Sequence, residues 1–288
     1  MKDYIALTKP RITWLILMST GVGYFFGAQR DWHGWAGWHF ATLLHTIIGT
    51  GLIASGTAAL NQWIERKADG MMRRTQARPL PSGRLEPGRA LAFAIAISIA
   101  GFAELWFGAN PLAALLGLFT LLTYLFIYTP LKQRSPHSTT FGSLPGAMPP
   151  LIGFAAASGT LTWDAWVLFA ILFLWQFPHF YAIAWMYKED YARAGIRMLP
   201  VVEPDGKSTA RRILLYSIAL IPISLMPKFF AMAGNVYLVG AIALGLVFVY
   251  YSLRIRWDRT RQQARQVLLA SVVYLPLLFS LMLFDRPA

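Results

Sequence analysis

Long apolar runs alternate with short polar segments along the whole chain. Because a helix needs about 17–25 apolar residues to span a bilayer, the pattern predicts nine transmembrane helices. The predicted spans cover residues 12–28, 39–63, 89–108, 111–129, 141–158, 163–187, 212–230, 235–254 and 266–284. We therefore expect an all-α polytopic membrane protein in which residues 1–288 form a single domain.

The fifth predicted span is interrupted by proline and glycine. Residues Phe141 to Gly153 read FGSLPGAMPPLIG. A broken helix leaves backbone carbonyls without partners, and hydrocarbon offers none in exchange. We expect this span to pack against protein or to line a pocket rather than to face lipid.

Composition supports a membrane protein. The chain is 56% hydrophobic and only 14% charged, with a mean hydropathy of +0.48, whereas soluble domains carry about 25% charged residues. A net charge of +13 would suit nucleic-acid binding only on a soluble folded surface, so we expect no nucleic-acid partner. The absence of cysteine excludes disulfides, iron–sulfur clusters and Cys-zinc sites.

Basic residues concentrate in alternate connections, which predicts the orientation in the membrane. They crowd the N-terminal segment and the connections after the second, fourth, sixth and eighth spans, leaving Arg30, Lys228 and Arg286 on the other side. By the positive-inside rule the N-terminus is cytoplasmic and the C-terminus periplasmic. The cytoplasmic connections at about 64–88 and 188–211 are expected to form cap loops.

Two further expectations concern the first apolar run and the connection that follows it. The apolar run from Ile12 to Ala28 is long and lacks a clear cleavage site, so we interpret it as the first transmembrane helix in a bacterial inner membrane. Trp32, Trp35 and Trp38 follow it and are interpreted as an interfacial aromatic belt.

The segment from Asn61 to Gly83 is the strongest candidate for chemistry. Asn61, Glu65 and Asp69 are spaced four apart, so on a helix they form one stripe, each about 6 Å above the last. Oxygen donors suit a hard divalent cation. Arg74 and Arg78 follow and can hold phosphate, which predicts a metal-diphosphate site, although a helix end emerging into water would look similar.

A second polar segment runs from Trp175 to Pro200. His179 lies within the sixth span, before Lys188, Glu189 and Asp190. An ionisable group inside a membrane favours a functional role, and a hydrogen bond to a neighbouring helix is the alternative. For His45, which lies farther from the cytoplasmic end, we favour that structural alternative.

Two connections supply additional cations. Tyr128 to Thr140 is expected to be a loop, in which Lys132 either contacts a phosphate or is ordinary loop chemistry. The basic connector from Arg254 to Arg265 is interpreted as a contact to lipid headgroups.

Three motifs resemble the UbiA superfamily of intramembrane prenyltransferases. The first, Asn61-x3-Glu65-x3-Asp69, continues into Arg74-Thr75-x2-Arg78-Pro79-Leu80. The second joins YTPLK at Tyr128 to the Gly142–Gly153 stretch, and the third runs from Trp175-Gln176-x-Pro178-His179-Phe180 to Met198-Leu199-Pro200. The RT-x2-RPL and WQ-x-PHF stretches are similar to the branch that farnesylates protoheme.

The resemblance implies a helical bundle around a central cavity. It implies transfer of a farnesyl group from farnesyl diphosphate to a vinyl group of heme b, giving heme O, with membrane lipid as surroundings and heme A synthase as a partner. Mg²⁺ would be bound by Asn61, Glu65 and Asp69, with Asp190 facing them. Arg74, Arg78, Lys132 and Lys188 would bind the diphosphate, and His179 would contact the heme.

The sequence departs from the wider superfamily at three places. Glu65 stands where other branches often have Asp, Tyr187 where an acidic residue is frequent, and Arg197 where the heme branch more often has Pro. Two alternatives stay open: a prenyltransferase with an aromatic quinone-precursor acceptor, and a polytopic transporter. A transporter would explain the helices but not an acidic stripe beside clustered arginines.

Overall fold

The computed structural model describes residues 1–28 and 37–287, with only the backbone of Gly37 and Trp38. Throughout these residues the regular structure is helical and contains no strand. This confirms the all-α prediction for the described part of the chain. The expected aromatic belt (Trp32, Trp35 and the Trp38 side chain) and Arg30 lie outside the described residues.

The helices follow one another with short connections. They are α1 (Lys2–Leu7), α2 (Pro10–Gly27), α3 (Gly37–Met71), α4 (Pro87–Gly108), α5 (Pro111–Leu122), α6 (Thr129–Arg134), α7 (Ser138–Gly146), α8 (Pro149–Ser158), α9 (Trp163–Met186), α10 (Lys188–Arg193), α11 (Leu199–Val202), α12 (Lys207–Phe229), α13 (Asn235–Trp257) and α14 (Arg261–Phe284). A π-helical turn, Thr123–Tyr128, joins α5 to α6.

Seven helices of the described residues are long and apolar enough to cross a membrane, so the predicted count of nine is not confirmed. Seven of the predicted spans match these helices. The other two predicted spans correspond to α2, which has 18 residues, and to the pair α7 and α8. Pro145 lies inside α7, and Pro149 and Pro150 begin α8. Proline lacks the N–H that would continue a preceding helix, so a new helix starts at Pro149.

The structure explains how the broken fifth span is accommodated. Every residue of α8 from Pro149 to Ala156 is buried, and α8 packs along α2. At Gly153 a Cβ would collide with the carbonyl of Thr20, and at Gly23 it would collide with the carbonyl of Pro150. Small residues let the two helices approach closely, as expected for a broken span that packs against protein.

The chain forms two compact units. The first unit comprises Met1–Leu131, Met148–Ala165 and Arg193–Gly195, and the second comprises Lys132–Ala147, Trp166–Ala192 and Ile196–Ala288. The single domain expected over residues 1–288 stays a prediction.

In the first unit α3 packs against α4 and α2. A Cβ at Gly101 of α4 would meet the backbone of Gly49 and Ile53, so the two helices are in close backbone contact. Closer to the C-terminal end of α3, a hydrophobic cluster joins Leu7 of α1 and Ala59 of α3 to Leu80 and Leu85 of the connection between α3 and α4. The cluster fixes the N-terminal segment and the connection after α3 to the same helix end.

In the second unit α12, α13 and α14 pack in sequence, and buried hydroxyl groups link them. The Ser224 and Tyr274 hydroxyls lie 2.7 Å apart, and the Tyr237 hydroxyl donates to the Ser224 carbonyl at 2.6 Å. Interhelical hydrogen bonds of this kind stabilise helix association where hydrocarbon gives no hydrophobic driving force.

Both predicted cap loops contain more helix than expected. Helix α3 continues to Met71, so residues 64–71 of the first cap are helical. The second cap contains α10 and α11, and α12 already begins at Lys207. The hydrophobic pattern placed the end of α3 too early and the start of α12 too late, because a helix continues beyond its apolar stretch where tertiary contacts stabilise it.

Candidate functional site

The predicted acidic stripe lies on one continuous helix. Asn61, Glu65 and Asp69 all belong to α3, with successive residues about 6 Å apart along the axis. Asn61 is 2% exposed and Asp69 is 1% exposed, whereas Glu65 is half-buried. The two end members are therefore shielded from solvent, which an ordinary helix end in water would not require.

Asp69 is paired with a cation from the next segment. The Arg78 Nη1 atom lies 2.7 Å from the Asp69 Oδ2 atom, and only 2% of the Asp69 side chain is exposed. A buried carboxylate needs such a partner, because an isolated buried charge is costly. The predicted metal ligand and one predicted diphosphate ligand are thus brought together.

The chain folds back after α3 to deliver Arg78. The Thr75 hydroxyl donates to the Asp69 carbonyl at 2.8 Å, and the Arg78 amide donates to the Thr75 carbonyl at 2.9 Å. Leu80 is buried in the hydrophobic cluster. Gly83 has φ of 74°, a left-handed conformation that favours glycine. Thr75, Leu80 and Gly83 therefore shape and anchor the turn that carries Arg78.

Asn61 is held from two sides in the first unit. Its Nδ2 atom donates to the Thr129 hydroxyl at 3.2 Å, and its Oδ1 atom accepts from the Lys9 Nζ atom at 3.4 Å. Lys9 precedes Pro10 and adopts φ of 47° and ψ of 60°, a conformation that costs energy for a residue with a side chain. Neither Lys9 nor Thr129 is among the site residues predicted from the sequence.

The N-terminal segment is anchored so that Lys9 reaches α3. The Gln62 Nε2 atom donates to the Leu7 carbonyl at 2.8 Å, and Leu7 is fully buried. An ion pair joins Arg84 to Asp3 at 3.1 Å. A signal was present in the sequence, because Lys9 directly precedes a helix-starting proline, but nothing local connects it to Asn61.

The donor set suits a hard cation such as Mg²⁺. The stripe offers one amide oxygen and two carboxylates, and Mg²⁺ prefers oxygen ligands while retaining waters and phosphate oxygens. Among the described residues no three His, Cys, Asp or Glu side chains cluster as a metal cage. The oxygen donors of the stripe are thus of the kind that suits Mg²⁺.

In the second unit His179 is fixed by α14. Its Nδ1 atom lies 2.8 Å from the Ser271 hydroxyl, and its ring stacks on Trp175 with centroids 4.8 Å apart. The Trp175 indole donates to the Ser271 carbonyl at 2.8 Å. The structural alternative for His179, a hydrogen bond to a neighbouring helix, is thus observed, and it involves the Nδ1 atom of the ring.

The remaining second-unit residues lie at or near the ends of α6 and α9. The Lys188 Nζ atom lies 4.1 Å from the centre of the Trp185 ring, and Asp190 is buried in α10. Lys132 lies on α6 and its carbonyl accepts from the Arg197 amide at 2.8 Å. The expectation of a loop from Tyr128 to Thr140 is therefore wrong over most of its length, because a π-helical turn carries the helix onward.

Three further basic residues, Arg74, His45 and Arg212, lie in different surroundings. Arg74 is exposed in the connection after α3. His45, for which a structural hydrogen bond was favoured, lies 2.7 Å from Glu104 of α4 through its Nδ1 atom. A further cation that the sequence reasoning missed is Arg212, whose Nη1 atom donates to the buried Tyr181 hydroxyl at 3.1 Å.

Comparison of the whole chain with known proteins gives consistent results. Residues 16–279 match the UbiA prenyltransferase family. A protein named protoheme IX farnesyltransferase from Solibacter usitatus (strain Ellin6076) is 66% identical over 291 residues, covering 100% of this chain and 99% of the relative.

Solved structures share the fold at low sequence identity. A digeranylgeranylglyceryl phosphate synthase structure has a TM-score of 0.80 at 16% identity, covering 99% of this chain and 97% of its own. A UbiA homologue from Archaeoglobus fulgidus, solved with GPP and Mg²⁺, has a TM-score of 0.62 at 16% identity, covering 97% of this chain and 99% of its own. These likenesses concern the arrangement of the helices.

Proposed function

The chain belongs to the UbiA prenyltransferase family, and from this premise we propose that it transfers a farnesyl group from farnesyl diphosphate to a vinyl group of heme b. The products are diphosphate and, after addition of water, heme O. The observation that carries the proposal is the full-length 66% identity to a protoheme IX farnesyltransferase. The stripe of Asn61, Glu65 and Asp69 beside Arg78 supplies the chemistry that such a transfer needs.

The reaction begins with the leaving group. The bond between the farnesyl C1 atom and the diphosphate oxygen breaks, and its electron pair departs with the diphosphate. Bound Mg²⁺ supplies electrostatic stabilisation of that developing charge. We assign its protein ligands to Asn61, Glu65, Asp69 and Asp190. Asn61 and Asp69 are about 12 Å apart along the helix axis, so the four ligands would not all contact a single ion and would hold metal at separate points beside the diphosphate.

The cations of the first unit bind the same leaving group. In the structure Lys9 donates to the amide oxygen of Asn61, and Arg78 donates to the carboxylate of Asp69. With a metal ion held by these ligands, Lys9 and Arg78 would donate to the diphosphate, because ammonium and guanidinium groups form charge-assisted hydrogen bonds to phosphate oxygens. Arg74, Lys132 and Lys188 complete the proposed diphosphate ligands.

The acceptor step needs a dry, aromatic surface. The vinyl group of heme b attacks C1, and water adds to the resulting cation with loss of a proton. Premature water would quench the farnesyl cation, and aromatic faces stabilise positive charge. Phe177 stacks on Tyr216 at 3.9 Å and Trp175 stacks on His179. We assign heme contact to His179, since a hydrogen bond at one ring nitrogen orients the other toward a ligand.

The membrane arrangement completes the proposal. The chain is an integral membrane protein with seven helices of spanning length in its described part. We further propose nine spans around a central cavity, as the resemblance implies, in a bacterial inner membrane with the N-terminus cytoplasmic and the C-terminus periplasmic. Residues 1–288 act as one prenyltransferase domain, and heme A synthase is the proposed consumer of heme O.

One assay separates the candidate functions. Purified protein is incubated with labelled farnesyl diphosphate, Mg²⁺ and either heme b or 4-hydroxybenzoate, with a chelator control. We expect label in a heme product only, and only when Mg²⁺ is present. Label in 4-hydroxybenzoate would assign an aromatic quinone-precursor acceptor. No transfer to either acceptor would contradict prenyl transfer and favour the transporter alternative.

A further inference from the structure

A groove in the second unit is not used by the proposed reaction. It lies between α13 and α14 and has a volume of about 300 Å³, lined by residues that include Val247, Tyr251, Gln266 and Ala270. Phe248 and Tyr274 form its buried floor, with ring centroids 5.4 Å apart. Val247 is 52% exposed, so the groove opens on the outside of the two helices, where a membrane protein meets lipid.

The spacing of the lining residues gives the groove its length. Leu244, Val247 and Tyr251 recur along α13 at intervals of three and four, and Gln266, Ala270 and Val273 do so along α14. Residues at these intervals share one helix face, so each helix contributes one stripe of about two turns, which is apolar except for Gln266 at one end of the α14 stripe and the Tyr251 hydroxyl on α13. An elongated apolar channel of this form fits a hydrocarbon chain.

A buried amide lies toward one end of the groove. The Gln266 Oε1 atom is buried and, among the described residues, has no hydrogen-bond partner. Leaving a buried polar atom unsatisfied is costly, which favours a ligand that pairs with the amide. Rotation of the amide places Nε2 at the same point, where it can donate to an ester carbonyl.

The same end carries a dense positive charge. Tyr251 is followed by Arg254 on α13, and Gln266 is preceded by Arg265 on α14. Arg256 near the end of α13, Arg259 between the helices and Arg261 at the start of α14 add positive charge, and Asp258 is the one acidic residue of this stretch. The Trp185 indole donates to the Arg259 carbonyl at 3.0 Å, so the connector is fixed to α9 of its own unit.

We propose that this groove is a binding site for one anionic phospholipid. Its acyl chain lies between the α13 and α14 stripes, its ester carbonyl accepts from Gln266, and its phosphate binds the arginines of the connector. The order apolar chain, ester and phosphate matches the order of groove, amide and arginines along the helices. A zwitterionic lipid has the same chain and esters, but its ammonium group offsets the attraction of the arginines.

The test measures lipid retention and needs no catalytic assay. Delipidated protein is loaded with equal amounts of phosphatidylglycerol and phosphatidylcholine, and bound lipid is counted by native mass spectrometry. We expect wild-type protein to retain one phosphatidylglycerol. Arg254→Gln should retain about fivefold less, the effect of one arginine near an anionic lipid. Ala270→Phe, which fills the groove, should abolish retention.

Matched variants keep the test decisive. Leu246→Phe places the same ring at an exposed position of α13 that does not line the groove, and Lys228→Gln removes a cation at the end of α12, away from the connector; both should retain lipid as wild type does. Gln266→Leu removes the amide at similar volume and should weaken retention even if Ala270→Phe fails to fold. Equal retention of the two lipids, or normal retention in Arg254→Gln and Gln266→Leu, would overturn the proposal.

Discussion

The ends of α3 and α9 carry the two polar segments of the candidate site, and they hold their functional groups differently. At α3, Asp69 pairs with Arg78 and Asn61 accepts from Lys9, so each oxygen has a side-chain cation. At α9, His179 is held by the Ser271 hydroxyl and stacks on Trp175, so a neutral hydrogen bond and ring packing fix it.

The difference corresponds to the two halves of the proposed reaction. An amide oxygen and a carboxylate oxygen that each contact a side-chain cation are suited to a doubly charged metal and a diphosphate, because one cation can be exchanged for another. A neutral hydrogen bond and an aromatic face are suited to a large apolar acceptor, since they fix an orientation without adding charge. The comparison predicts that changes at α3 will mainly affect the prenyl donor and changes at α9 the acceptor.

The largest expected effect is at Asp69. Asp69→Asn keeps the shape and one hydrogen bond to Arg78 but removes the negative charge, so turnover should fall about a hundredfold or more. Asp190→Asn should show a comparable loss if Asp190 is also a metal ligand. Turnover at saturating heme b, measured alongside metal binding by calorimetry in the presence of farnesyl diphosphate, checks both variants.

Asp3→Asn is the matched control, because Asp3 also pairs with an arginine but lies at an exposed site. It should leave turnover unchanged. If Asp69→Asn retained near-normal turnover and metal affinity, the metal role of the stripe would be wrong. Normal behaviour of Asp190→Asn alone would limit the metal site to α3.

An intermediate effect is expected for the side-chain cations of the first unit. Arg78→Ala should lower kcat/KM for farnesyl diphosphate about tenfold to a hundredfold, the range for losing a hydrogen bond to a charged group. Lys9→Met should act in the same direction but less strongly, because the contact to Asn61 is longer. Steady-state kinetics with varied farnesyl diphosphate measures both.

The affinity for heme b should stay unchanged in both cation variants. Arg11→Met removes an exposed cation close to Lys9 and serves as the comparison for nonspecific charge loss. Unchanged kcat and KM in Arg78→Ala and Lys9→Met would show that these cations serve only to hold the folded structure.

The smallest effect is expected at His179. His179→Ala should weaken heme b binding about tenfold while leaving the affinity for farnesyl diphosphate unchanged. A spectroscopic heme titration checks this, with His45→Ala as the control, since His45 is paired with Glu104 on α4. An unaltered titration of His179→Ala, or an equal loss in His45→Ala, would remove the assignment of heme contact to His179.

Much of the fold could be predicted because a membrane imposes one rule on every spanning segment. Apolar length located the seven helices that are long enough to span a membrane in the described part of the chain. The prolines and glycines of the fifth span predicted the interruption that lies between α7 and α8. The pattern did not predict the extension of α3 to Met71, because that boundary depends on contacts beyond the membrane, which apolar length does not measure.

Some residues of the candidate site could be predicted from spacing and motifs, and others are seen only in the structure. A spacing of four is enough to place Asn61, Glu65 and Asp69 on one helix face, and the RT-x2-RPL motif identifies Arg78. Spacing cannot reveal Lys9, because its contact with Asn61 joins residues 52 apart. Nor can it reveal Ser271, which holds His179 across 92 residues.

The sequence by itself determined the membrane class, the helical stripe and the family motifs, because periodicity and composition act locally along the chain. Only the tertiary structure decided which cation pairs with which oxygen and where the groove between α13 and α14 forms. Those choices depend on packing: buried Leu7 brings Lys9 to α3, buried Leu80 anchors the turn that carries Arg78, and the stripes of α13 and α14 meet only when the helices pack.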